Sequence, residues 1–374
     1  MLVQERLTIR QFTVLALMTM IGDMILIYPT MVTYSGNQDA WICSIISQPI
    51  GLCILWLLYK LHQTYPTLSL IEICPKILGV WIGSILSVGY LFYFMMGASI
   101  CIREVGDFMT TQIYLYTPIR AILLLFVAAL TWGMVKGLGS IGKSAEVWVP
   151  FVIVGLLILI IFLLPKAELS RIKPYLSTPF FPMVSGSIRG ATASYGELII
   201  LSMILPYIKH DSHVRRDMML STLFGGALLT SLLFIALLVM GPMLTQHNIY
   251  ISYVLAQKIN VGNFFQRIEA LTATAWLVST YFKTIIYIFG FVLGTAQLFR
   301  LKSYKPLVLP SMMLFFAMSV VLAPNIVFYT TTIIYAWFDW DFTICLIIPS
   351  LLILIHRVKQ GFKKRRGRSA AEAE

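Results

Sequence analysis

Ile21-Gly22-Asp23-Met24-Ile25-Leu26 is the stretch on which the fold turns. It lies in the middle of an apolar run from roughly 10 to 34. That run is long enough, at 1.5 Å per helical residue, to cross a hydrocarbon core of about 30 Å. Glycine weakens a helix at such a point, and aspartate favours caps and turns over helix interiors. About half a chain later the pattern returns: Tyr195-Gly196-Glu197-Leu198-Ile199-Ile200 occupies the centre of a second run, roughly 184–209. A third run, roughly 270–296, carries Lys283 at its centre. An ionisable side chain at the middle of a membrane helix costs roughly 2.5–3.5 kcal/mol on insertion scales, so three of them mark a polar site and not ordinary packing. The matched glycine-acid pairs point to a duplicated membrane bundle with that site at its midplane.

Composition agrees. The chain of 374 residues is 59% hydrophobic and 12% charged, with a mean hydropathy of +0.85. Soluble domains carry about twice that charged fraction. Lys and Arg outnumber Asp and Glu by 28 to 16. Without aromatic-basic interleaving on a soluble face, this excess belongs to cytoplasmic loops and a basic tail, not to nucleic-acid binding. Cys43, Cys53, Cys74, Cys101 and Cys345 form no CxxC pair and read as small buried hydrophobes, not a disulfide framework or zinc site. The apolar run after Arg6 and Arg10 continues past signal-peptide length and shows no cleavage site, so it reads as the first membrane helix.

Ten spans are expected, at about 10–34, 40–60, 80–102, 118–136, 146–165, 184–209, 218–241, 270–296, 306–323 and 333–355. Residues 64–79 read as a short amphipathic or re-entrant piece. Trp337-Phe338-Asp339-Trp340-Asp341 reads as interfacial, with its tryptophans at headgroup level. With the N-terminus inside, inner loops and tails carry 19 Lys and Arg against 7 in outer loops, which favours both termini in the cytoplasm. The tail from His356 to Arg368 reads as an anchor against anionic lipid, with a docking segment as the alternative. Ser369 to Glu374 reads as a disordered end or a non-native remnant.

If segment 1 breaks at Gly22-Asp23, residues 24–34 form a second half-helix whose free amides face a cavity. Lys283 cannot easily snorkel from a span centre, so it is expected to face Asp23 or Glu197. The three groups sum to −1 if all are ionised, and a proton or small cation would balance them. A structural ion pair is the other reading. Tyr90 and Phe94, four apart on one helix face, could line a pocket with Tyr195 and Tyr287; simple packing is the alternative. Arg103, Glu104 and Asp107 read as a charged knot at the outer end of segment 3, where the two acids meet Arg103 and Arg120 near the headgroups. His62, His210, His213, His247 and His356 fall in or beside loops. No nucleophile-base-acid arrangement, metal motif or phosphate loop is visible, so neither catalysis nor a cofactor is expected.

These pieces, in this order, resemble a known family. Arg6-Leu7-Thr8 leads into segment 1, Arg103-Glu104-Val105-Gly106-Asp107 follows segment 3, and Leu164-Pro165 follows segment 5. Tyr195-Gly196-Glu197 with Leu205-Pro206-Tyr207 marks segment 6, and Arg267-Ile268-Glu269 precedes Trp276 and Lys283. The chain is similar to the B subunits of Ger-type spore germinant receptors, within the amino acid–polyamine–organocation transporter superfamily. The resemblance implies an all-α integral membrane protein with a LeuT-like 5+5 inverted repeat and broken helices 1 and 6. On that pattern residues 1–363 form one polytopic domain, with repeats at about 8–165 and 184–323, a last helix at 333–355, and a basic tail over 364–374. It implies a small-molecule germinant bound between segments 1, 3, 6 and 8, around Gly22, Tyr195-Gly196-Glu197 and the Thr280-to-Tyr287 stretch, which includes Lys283 and Thr284. It also implies a larger A subunit and a C-subunit lipoprotein as partners, in the spore inner membrane. The segment-1 break departs from the small, glycine-rich pattern of the superfamily. An acid at Asp23 makes a cationic amine, a sugar or an inorganic ion more plausible than an ordinary amino acid. A proton-coupled amino acid or amine permease, with Glu197 or Asp23 as carrier, and a scaffold without a ligand are the rival readings.

Overall fold

Thr8 opens the first helix with a reciprocal cap. Its hydroxyl accepts the Gln11 N–H at 3.2 Å, and the Gln11 side chain accepts the Thr8 N–H at 3.0 Å. Helix α1 (Ile9–Ile21) runs from there to Gly22, whose N–H closes the last turn on the Met18 carbonyl. The backbone leaves helical geometry at Gly22 and resumes as α2 (Met24–Gly36), so the first expected span is two half-helices. This computed structural model describes residues 6–209, 213–259 and 268–371; His210, Arg267 and the last three residues lie outside them.

The first half continues through α3 (Ala40–Thr64), the short α4 (Leu70–Leu78), α5 (Val80–Phe108), α6 (Ile119–Lys136) and α7 (Leu138–Leu163). The second opens with α8 (Phe180–Tyr195), which passes at Gly196 into tighter 3₁₀ winding over Gly196–Met203. Runs of 3₁₀ longer than three or four residues are uncommon and mark hinges or strain. Then come α9 (Val214–His247), α10 (Ile251–Gln257), α11 (Ile268–Leu298), α12 (Val308–Val321), α13 (Ile326–Phe328), α14 (Ile334–Phe342) and α15 (Ile348–Ala371). Wide π-type turns at Tyr329–Ile333 and Thr343–Ile347 join the last three.

The broken segments pack in the middle. Helices α1 and α2 lie against α9, α3 against α8, and α5 against α11, the most buried of the long helices. Seven helical stretches are long and apolar enough to cross a membrane, while Ile9–Ile21 and Lys305–Val321 are shorter apolar helices. Length alone yields seven because the first segment is divided at Gly22, α2 runs almost directly into α3, and the sixth segment changes its winding at Gly196. The piece at 64–79 is α4, started by a Ser69–Glu72 capping box and docked on α5, where the Ser87 hydroxyl donates to the Ile71 carbonyl at 2.9 Å and Gly83 lies close against Cys74 and Pro75. Four of the five cysteines are buried, and Cys53 is exposed.

Two local expectations are corrected. Helix α5 continues past residue 102, so Arg103, Glu104 and Asp107 are buried inside the bundle and not on its surface. Arg103 pairs with Asp107 at 2.9 Å and donates to the Ala323 carbonyl at 2.6 Å just past α12, while Arg120 is exposed and Glu104 has no hydrogen-bond partner among the described residues. Trp337 and Asp341 do not face outward. The π-type turns rotate them inward, and Asp341, fully buried, accepts from the Tyr93 hydroxyl at 2.6 Å. His62, in the last turn of α3, lies beside a loop as expected and is buried.

Candidate functional site

The break at Gly22 places Asp23 at the head of α2, and the change of winding at Gly196 places Glu197 in the first 3₁₀ turn. Lys283 reaches between them from the middle of α11. Its Nζ lies 2.5 Å from Asp23 Oδ1 and pairs with Glu197 Oε2. All three side chains are almost completely buried, so the charges compensate one another instead of being hydrated. Gly22 is required by this arrangement: a Cβ there would stand 2.6 Å from Lys283 Cδ, on the stem that carries the ammonium inward. The Gly22 carbonyl, freed by the break, accepts from the Ser279 hydroxyl of α11 at 3.0 Å.

A cavity of about 30 Å³ adjoins the triad. Asp23, Glu197, Cys101, Tyr287, Tyr329 and Trp337 are among the residues that line it. It has room for about one or two waters. Trp337 Nε1 donates to Glu197 Oε1 at 2.8 Å and stacks on the Tyr93 ring with centroids 4.8 Å apart. The Tyr287 hydroxyl, fully buried at the cavity wall, has no partner among the described residues. The site therefore combines a fixed ammonium, two carboxylates and aromatic walls. Such a combination is chemically suited to a small polar or cationic group.

The residues singled out from the sequence separate into two sets. Gly22, Asp23, Glu197, Lys283 and Tyr287 come together here. Tyr195 turns away and donates to Gln48 of α3 at 2.6 Å, with Gly196 packed on Cys345. Tyr90 reaches the Ile344 carbonyl at 3.3 Å, and Phe94 packs against Tyr90, Tyr93 and Tyr287. Thr284 returns its hydroxyl to the Thr280 carbonyl within α11. The sequence reading missed Ser279, Cys101, Tyr329 and Trp337. Only Trp337 carried a signal, an aromatic residue beside acids, and that signal reads equally well as a membrane interface.

Trp337→Phe keeps an aromatic side chain against Tyr93 and removes the donor to Glu197. Hydrogen bonds to charged groups contribute about 1.5–3 kcal/mol, and a loss of that size in reversible unfolding is expected. An unchanged stability would show that Glu197 does not depend on this donor.

A sequence profile for the family described as "Spore germination protein" matches residues 6–327. This chain belongs to the spore germination protein family. Among its relatives, spore germination protein KB of Bacillus subtilis strain 168 is 24% identical over 325 residues, covering 86% of each chain. Spore germination protein A2 of the same organism is 25% identical over 305 residues, covering 80% of this chain and 82% of that one. Among solved structures, the crystal structure of MhsT in complex with L-phenylalanine superposes with a TM-score of 0.65 at 13% identity, over 92% of this chain and 97% of MhsT. That likeness establishes the LeuT-like fold. This spore germination protein is therefore an integral membrane protein of permease-like architecture.

Proposed function

We propose that this chain is the ligand-sensing membrane subunit of a spore germinant receptor, with the germinant bound at the midplane between segments 1, 3, 6 and 8. The observation that carries the reading is the ammonium of Lys283, held between acids from the two interrupted segments. An electrostatic lock that joins both breaks couples ligand chemistry to the movement of half-helices. The cavity beside it, about 30 Å³, is too small for an amino acid, so binding requires the bundle to open. Only a difference in affinity between closed and open states then drives the signal. One of the two carboxylates exceeds what Lys283 neutralises, and the walls are aromatic, which favours a cationic amine as ligand. The fold shared with a protein solved with L-phenylalanine supports a small-molecule site. The signal passes to a larger A subunit and a C-subunit lipoprotein in the spore inner membrane, and no chemistry is performed on the ligand.

Asp23→Ala frees Lys283 from one partner and is expected to shift the germinant dose dependence of complemented spores by roughly tenfold or more, equivalent to about 1.4 kcal/mol. An unchanged dose dependence removes Asp23 from the mechanism. The second reading, a proton-coupled permease, is favoured by the same acids at interrupted helices. Uptake driven by a pH gradient into proteoliposomes holding this chain alone would decide for it.

A further inference from the structure

A second cavity, about 410 Å³, opens at the end of the bundle where the chain leads into α1. We propose that it binds a small oxyanion, and that the anion ties the approach to the first broken segment to the exit of the sixth. Its wall includes Arg6, Lys209, His62, Tyr59, Gln63 and Thr67, and among the described residues no carboxylate. A volume in this range suits a small molecule. Arg6 and Lys209, both exposed, form no ion pair among the described residues, and within those residues the two cations at this cavity are uncompensated. His62 is 9% exposed and its Nδ1 has no hydrogen-bond partner among the described residues. Buried polar groups are almost always satisfied, and in the tautomer that protonates Nδ1 this nitrogen needs an acceptor, which the two cations cannot be. An oxyanion supplies that acceptor, and the planar guanidinium of Arg6 suits a carboxylate or phosphate edge.

The backbone sets the two cations on either side of one short bridge. The Leu7 N–H donates to the Tyr207 carbonyl at 3.0 Å, and the Lys209 N–H donates to the Leu7 carbonyl at 3.0 Å. Arg6 directly precedes Leu7 ahead of α1, Lys209 follows the 3₁₀ winding, and His62 ends α3. An anion held by all three stabilises the arrangement in which these segments touch. The site uses none of the triad residues, so it stands or falls apart from the germinant reading.

The test uses the full chain in nanodiscs of phosphatidylcholine, with inorganic phosphate titrated against chloride at constant ionic strength. Expected is a saturable rise in the thermal unfolding midpoint, with affinity reduced roughly tenfold or more in R6Q/K209Q. His62→Phe, which retains ring volume, is expected to weaken it too, whereas Asp23→Asn leaves it intact. If the oxyanion is a lipid headgroup, free phosphate has no effect, and phosphatidylglycerol nanodiscs stabilise the natural chain but not R6Q/K209Q. A phosphate response no larger than that of chloride, together with equal stabilisation of both chains by phosphatidylglycerol, overturns the proposal.

Discussion

Lys283→Met destabilises the folded protein by about 3–5 kcal/mol, the cost of leaving buried charges without their partner. The substitution keeps most of the stem that packs on Gly22 and removes the ammonium that Asp23 and Glu197 share. Two carboxylates then face each other in a site with room for about one or two waters. The companion variant K283M/D23N/E197Q removes all three charges together. It is expected to recover most of the loss, because replacing a whole buried ionic cluster is far less costly than breaking it. Reversible unfolding in mixed micelles measures both. If Lys283→Met lies within about 1 kcal/mol of the natural chain, the value for a weak surface pair, the three groups are not an ionised lock.

Asp39→Ala removes the acceptor that holds the connection between the two halves. The fully buried carboxylate, between α2 and α3, accepts the backbone N–H groups of Leu176 at 2.8 Å, Ser177 at 2.8 Å and Thr178 at 2.9 Å. Leu176 sits at a φ of 54°, a left-handed conformation that a leucine adopts only when its surroundings impose it. The Thr178 hydroxyl adds a bond to the Gly36 carbonyl at 2.8 Å. Three donors lose a charged acceptor at once, so a loss of about 3 kcal/mol or more is expected. Thermal unfolding reads the loss, and limited proteolysis reads the release of residues 173–178. Asp39→Asn, which keeps one carbonyl acceptor, is expected to fall between. Unchanged protease resistance in Asp39→Ala would show that other contacts hold this connection.

The bundle and its polar centre were legible because membrane burial leaves coarse marks on a chain. Apolar runs of span length report the bilayer, and an ionisable residue at mid-run is costly enough to be informative on its own. Gly22-Asp23 and Gly196-Glu197 marked the breaks, although the second became a change to 3₁₀ winding and not a gap. Tyr195 was less legible. Its position beside Glu197 suggested a pocket, but adjacent helical residues face different directions, and its hydroxyl found Gln48. Arg103, Glu104 and Asp107 misled for a related reason. A charged cluster near the end of an apolar run resembles a headgroup contact, and only the continuation of α5 and the carbonyls at the end of α12 show that Arg103 caps a buried helix end.

The sequence by itself determined that the chain crosses a membrane, that two of its segments depart from regular α-helix beside an acid, and that a lysine must meet those acids or water. Each follows from the cost of exposing charge or unpaired backbone to hydrocarbon, a cost paid residue by residue and therefore written locally. The tertiary structure alone decided that Lys283 bridges both acids at once and that Ser279 caps the carbonyl at the first break. It also decided that Trp337 and Asp341 turn inward. Those outcomes depend on the rotation of one helix against another, which π-type turns and ring packing set across distances of more than a hundred residues. No local pattern encodes that rotation.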